Sequence, residues 1–150
     1  MNATQFLTQQ HDEVRQFFAD CEALEEGEFK RRSDIFSKIF KTLKCHTQIE
    51  EEILYPMAKN VDNELVLEAI EEHHMIKILL DEIDQTPPSN ERYVAKLAVL
   101  QEMVESHIDE EEGVLFPEVT ESCGTEKLDT VGLKLEERFK ELWQGVSATR

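Results

Sequence analysis

The sequence predicts an all-α protein: an up-down-up-down antiparallel four-helix bundle with an additional short C-terminal helix, built from a duplicated helix pair. Three observations point to it. Only five glycines and four prolines interrupt 150 residues, too little turn material for an all-β chain. Apolar residues recur at alternating spacings of three and four, the pattern of amphipathic helices. The second half also repeats the first at a shift of 61 or 62 positions, which predicts a pseudo-two-fold bundle with equivalent sites on opposite walls.

The first helix is expected from about Thr4 to Glu26, with Asn2 and Gln5 spaced as a capping box and Gly27 as the stop. The second runs from about Phe29 to Tyr55 and ends at Pro56, whose ring disfavours helix in the residue before it. The third covers about Asp62 to Asp84 and is closed by the Thr86-Pro87-Pro88-Ser89-Asn90 turn. The fourth runs from about Asn90 to Phe116 and ends at Pro117. A loop containing Ser122-Cys123-Gly124-Thr125 then leads to a final helix from Glu126 to Trp143. Its Val131, Leu135, Phe139 and Trp143 fall at helical spacing, which makes it a cover across the bundle or, if exposed, a partner or dimer contact. Short connections force the first four helices to alternate in direction. The chain therefore reads as one domain over residues 1–150, with the bundle at about 4–117 and the cover at about 126–143.

Acidic side chains number 33 against 16 basic ones, a formal net charge of −17. Such a chain repels the phosphates of nucleic acids and anionic membranes, so neither is an expected partner. No apolar run reaches the roughly 20 residues that cross a bilayer, and Met1 to Gln10 lacks the features of a signal peptide. The expected location is cytoplasmic. Cys21, Cys45 and Cys123 are odd in number and form no CxxC, so they read as free thiols, with Cys21 a core filler and Cys123 in a loop open to oxidation. Because 40% of residues are apolar and regularly spaced, most of the acids belong on outer helix faces.

Two stripes locate the chemistry. Phe36, Ile39, Leu43, His46, Glu50 and Ile53 line one helix, and Leu97, Leu100, Val104, His107, Glu111 and Val114 line another. Their printed ends, HTQIEEEILYP and HIDEEEGVLFP, match residue type by residue type at the key positions. On the other two helices His11 precedes Val14, Phe17 and Phe18, while His73 precedes Ile76, Leu79 and Leu80 at the same offsets. Four imidazoles and two carboxylates buried without partners would cost several kcal/mol per charged group. At i and i+4 the His and Glu of one helix share a face about 6 Å apart. Antiparallel packing then brings His11 level with His46 and Glu50, and His73 level with His107 and Glu111. A lone histidine on an apolar face is more often a satisfied core residue than a ligand, but here four of the five histidines occupy repeat-related inward positions. Nitrogen and oxygen donors from four helices, with carboxylates able to span two ions, describe a dinuclear metal centre, and iron fits mixed imidazole and carboxylate ligation. Glu51, Glu52, Glu110 and Glu112 lie off the stripes and read as solvated. Phe17, Phe18, Phe36, Phe40 and Phe116 read as core that keeps the site dry.

The pattern H…HxxxE…H…HxxxE over four antiparallel helices resembles the hemerythrin-like, or HHE cation-binding, domain, from about residue 4 to 145. Ferritin-like bundles differ, since they use Glu-x-x-His on two helices. The resemblance implies a non-heme diiron centre, oxo- or hydroxo-bridged, with His11, His46, Glu50, His73, His107 and Glu111 as ligands. Oxygen-carrying hemerythrins have a further His four residues after the third-helix His, and Lys77 stands there instead. Roughly two coordination positions then stay open, against about one in a carrier, which turns the expectation from stable O2 carriage towards sensing or redox chemistry. His74, about 100° round its helix from His73, reads as a boundary residue. The leading function is binding of O2 or a related small ligand for sensing, storage or delivery, or iron handling. The alternatives are a diiron redox enzyme acting on peroxide or nitric oxide, with an unidentified redox partner, and a metal-free helical interaction module.

Overall fold

The computed structural model describes residues 1–145, and among these there are helices and no strand. The elements are α1 (Ala3–Glu22), α2 (Phe29–Ile49), α3 (Tyr55–Ala58), α4 (Asn63–Asp84), α5 (Glu91–Glu110), α6 (Phe116–Cys123) and α7 (Thr125–Gly145). Two π turns, Glu50–Leu54 and Glu111–Leu115, join α2 to α3 and α5 to α6 as continuous rods. The result is the expected helical bundle, with α1 packed on α2 and α4 on α5.

Helix starts follow local chemistry. The side chain of Asn2 accepts from the Gln5 N–H at 2.9 Å, and the Gln5 side chain accepts from the Asn2 N–H at 3.1 Å, which completes the capping box. Asp62 and Asn90 cap α4 and α5 through the N–H groups of Leu65 and Arg92. α1 stops at Glu22, earlier than Glu26, because the Glu25 N–H is taken by the Glu28 carboxylate at 2.7 Å as the chain turns.

Neither proline ends its helix, contrary to the expectation for Pro56 and Pro117. Each enters just after a π turn, where the ladder changes from i→i−4 to i→i−5. The Tyr55 N–H donates to Glu50 O and the Phe116 N–H to Glu111 O. A residue without an N–H is tolerated where the ladder shifts, so helix resumes through Ala58 and through Cys123. The turn also moves the inward face by one residue. Ile53 and Val114, expected inside, are half-buried and 44% exposed, while Leu54, Tyr55, Leu115 and Phe116 are buried. The expected loop at Ser122-Cys123-Gly124-Thr125 shrinks to Gly124, whose φ of 81° is easy for glycine alone.

α7 does lie across the bundle, but on one side. It buries Leu128, Val131 and Leu135 against α1 and α2. Gly132 is required there, because a Cβ would fall 2.3 Å from the carbonyl oxygen of Met1. Phe139 meets Phe6 edge-on, Trp143 lies under the ammonium of Lys41 at 4.1 Å, and Arg138 pairs with Glu52. Two apolar clusters form the core. One holds Phe18, Phe36, Leu80 and Leu100, the other Leu7, Ile49, Val66 and Leu135, and a layer of buried polar groups separates them. No helix among the described residues is long and apolar enough to cross a membrane.

Candidate metal centre

All six inward polar residues of the repeat reach that layer. His11, His46, His73, His107, Glu50 and Glu111 are each at most 4% exposed. They form two groups: His11, His46, Glu50 and Glu111, and then Glu50, His73, His107 and Glu111, with the donor atoms of each group within 4.8 Å of one another. The carboxylates belong to both. Glu50 Oε2 lies 3.3 Å from His46 Nε2 and its Oε1 lies 3.0 Å from His73 Nε2. Glu111 mirrors this, with Oε1 at 3.3 Å from His11 Nε2 and Oε2 at 3.3 Å from His107 Nε2.

Every imidazole is oriented from behind. His11 Nδ1 is 2.7 Å from Glu112 Oε2, His46 Nδ1 2.6 Å from Gln10 Oε1, His73 Nδ1 2.8 Å from Glu51 Oε2, and His107 Nδ1 2.6 Å from Glu72 Oε1. An acceptor at Nδ1 holds the proton there and leaves the Nε2 lone pair facing the interior, the arrangement of metal-binding histidines. Glu51 and Glu112 are therefore not solvated-face residues. Each is nearly three-quarters buried and reaches the histidine of the adjacent helix. The repeat could have exposed the pair, since 51 and 112 share the 61-residue shift, and so could Gln10 and Glu72, each standing immediately before a site histidine. Glu52 does face solvent, and Glu110 sits at the rim, where burial and the nearby Glu72 and Glu68 raise its carboxyl above the usual range.

Tyr55 joins the site although it lies off the inward stripe expected from the sequence. Its ring stacks on His73 at 5.3 Å and its hydroxyl donates to Glu111 Oε2 at 2.5 Å, lying 3.2 Å from both Glu50 Oε1 and His73 Nε2. Regular α-helix would put Leu54 four residues after Glu50 on the inward face; the π turn puts Tyr55 there instead. Its repeat counterpart Phe116 stacks on His11 at 5.9 Å with planes only 3° apart, and brings no hydroxyl.

Electrostatics bind the cluster together. Burial lowers the His107 imidazole, but the Glu111, Glu50 and Glu72 carboxylates outweigh it and raise the group well above its ordinary value. His11 and His73 are raised for the same reason. Burial pushes Glu50 up, yet the surrounding imidazoles pull it well below the carboxylate range, and Glu111 follows although the Glu50 charge opposes it. Burial, then Glu111 and Glu50, push the Tyr55 phenol well up. A cation fits this donor set. His11 Nε2, His46 Nε2, Glu50 Oε2 and Glu111 Oε1 are buried without a hydrogen-bond partner and converge on one point. In the second group His73 Nε2 and His107 Nε2 face each other at 3.1 Å.

The family model of the hemerythrin HHE cation-binding domain matches residues 2–119. The chain belongs to this family. Among solved structures, an HHE cation-binding domain-containing protein from Mycobacterium kansasii shares its fold, with a TM-score of 0.85 at 23% identity over 97% of this chain and 89% of that one. A curated relative, named a DNA nickase, from Nostoc sp. is 25% identical over 130 residues, 86% of this chain. The HHE chain spans only 36% of that relative's length.

Within this HHE domain the departure at Lys77 has a structural use. Its ammonium bonds Glu51 Oε2 at 3.1 Å, the carboxylate that orients His73. Arg15, its counterpart four residues after His11, approaches Glu112 at 3.7 Å. Both cations brace an orienting carboxylate. His74 is exposed, as expected of a boundary residue. Cys21 and Cys45 are buried, and burial pushes both thiols up to about 11; Cys123 is half-buried at the end of α6.

Proposed function

We propose that this HHE domain holds two iron ions and binds O2 or a related small uncharged ligand for sensing, storage or delivery. His11 and His46 would hold one ion, His73 and His107 the other, and Glu50 and Glu111 both. The observation that carries this is the convergence of four buried, unpartnered donor atoms, His11 Nε2, His46 Nε2, Glu50 Oε2 and Glu111 Oε1, each histidine being fixed from behind at Nδ1. Mixed imidazole and carboxylate donors in a dry layer favour iron over the soft thiolate metals and over the oxygen-only ones. Iron so held supplies exchangeable coordination positions and a change of oxidation state. Tyr55 is the further oxygen donor of the second group, through a hydroxyl already within 3.2 Å of Glu50 and His73. The excess of 17 negative charges favours a neutral ligand over a polyanion. The nickase activity named for the Nostoc relative stays with that longer protein.

Tyr55 also favours a second reading, a redox enzyme acting on peroxide or nitric oxide. Its hydroxyl donates to Glu111 and lies 3.2 Å from Glu50, which puts an O–H donor beside the centre that can turn to charge developing on a reacting oxygen. One experiment separates the two. Iron-loaded protein is titrated with O2 and with nitric oxide while its near-ultraviolet and visible spectrum is followed, and loss of added peroxide is measured in parallel. Binding predicts a saturable change at one equivalent per centre. Catalysis predicts consumption over many turnovers, and protein that takes up no iron and gives no spectral change contradicts both.

A further inference from the structure

The two halves of the bundle differ most in what covers them. On the first half α7 closes the groove between α1 and α2, where Thr42 and Cys45 are each 1% exposed and the Lys41 ammonium lies over the Trp143 ring. The repeat shift carries Gln10, Lys41, Thr42 and Cys45 onto Glu72, Glu102, Met103 and Ser106. These four, with Met75 and Ile76, line an open groove of about 390 Å³ between α4 and α5 that no described element covers. Beneath it lies a second space. A cavity of about 10 Å³, the room of one water-sized molecule, is walled by His11, His46, His107, Val14, Val104 and Ile76. Ile76 is the one side chain common to both, and it is 1% exposed.

We propose that small uncharged ligands reach the buried centre through the α4/α5 groove, with Ile76 as the side chain that closes the inner end. Resting on the small-ligand reading above, this adds the route and its selectivity. The chemistry of the path suits a neutral molecule. Its lining is apolar or thioether at Ile76, Met75 and Met103, with buried Ile76 innermost, and also carries the carboxylates of Glu72 and Glu102. Glu72 is fixed by His107 Nδ1 at 2.6 Å, so its charge cannot swing away from the inner end. A fixed negative mouth lowers the local concentration of anions and leaves neutral molecules unaffected. Among the described residues the opposite wall is covered, because Val14, the counterpart of Ile76, lies below the groove that α7 closes.

The test uses the iron-loaded full chain, mixed rapidly with nitric oxide as the neutral probe and azide as the anion, with iron content and the equilibrium nitric oxide spectrum measured for every variant. Ile76→Ala is expected to speed nitric oxide binding by about fivefold or more, and Ser106→Trp, which fills the exposed groove without disturbing the core, to slow it by about as much. Glu102→Gln should raise the azide rate severalfold and leave nitric oxide unchanged. Val14→Ala enlarges the same cavity from the covered side without opening it to the groove, and should speed nitric oxide binding less than Ile76→Ala does. Unaltered rates in Ile76→Ala and Ser106→Trp, with iron and equilibrium binding intact, would overturn the route. So would equal acceleration by Val14→Ala. Iron-loaded wild-type protein that gives no nitric oxide signal at all would overturn the small-ligand reading and this route with it.

Discussion

The α1/α2 half and the α4/α5 half are copies in what points inward and divergent in what surrounds it. Both contribute two histidines, a glutamate, a π turn, an aromatic ring stacked on the other helix pair's histidine, and a cation bracing an orienting carboxylate. They part at three places: Tyr55 stands opposite Phe116, Glu72 opposite Gln10, and α7 covers one groove while no described element covers the other. The repeat thus keeps the donor set and its supports, while the two donor groups are chemically unequal. The first has no phenol and one neutral orienting partner, Gln10; the second has the Tyr55 phenol and two charged orienting partners, Glu51 and Glu72.

The largest effects should come from the shared carboxylates. Glu50→Ala or Glu111→Ala removes a donor from both groups, so elemental analysis should find neither ion retained, whereas His46→Ala or His107→Ala should leave the other half's ion partly bound. The same carboxylates hold the metal-free cluster together. Glu50→Ala should therefore lower its stability in urea by ~3–5 kcal/mol, the cost of stripping a partner from buried charges.

Exchanging the two aromatics probes the asymmetry itself. Tyr55→Phe makes the second donor group like the first and should weaken the second ion by roughly 10–100-fold while sparing the first. Phe116→Tyr should move the first group the other way. Competition with a chromophoric chelator reads both. Changing the orienting partners should be milder. Glu51→Gln or Glu112→Gln should cost roughly tenfold in metal affinity. Glu72→Gln, which only reproduces the Gln10 arrangement of the other half, should cost less.

The smallest effect is a reversal with pH. In chelated protein His11, His73 and His107 are raised above their ordinary value of 6.5, so their contribution is complete below 6.5 and is lost as pH rises through the raised values. Glu50 and Glu111 are lowered from 4.5, so theirs is complete above 4.5 and is lost as pH falls through the lowered values. Metal-free protein should thus be most stable between 4.5 and 6.5 and weaken above. Iron-loaded protein should strengthen over that upper range, because the ligand nitrogens must be deprotonated. Melting temperatures with and without chelator, measured from pH 5 to 8, would show the opposed trends.

Much of this was legible in the sequence for a simple reason. Glu50 and Glu111 interrupt apolar stripes, and a buried carboxylate four residues after a histidine demands compensation, so the inward set stood out. Tyr55 did not, because α-helical spacing carries the inward face to Leu54 and only the π turn brings the phenol round. The prolines signalled the place where the ladder changes but read as stops. Glu51, Glu112, Gln10 and Glu72 were hidden because they touch histidines of neighbouring helices, a contact that periodicity along one helix does not reveal. The coverage by α7 was legible as a stripe, but its choice of side depended on Gly132 passing close under Met1.

The most direct test of the central claim is the number of iron ions bound per chain, measured by elemental analysis on protein reconstituted with ferrous iron and freed of excess. Two per chain in the wild type, falling to none in Glu50→Ala, is the predicted result. A wild-type value of one or zero, or two ions retained after Glu50→Ala, would contradict a centre built on shared carboxylates.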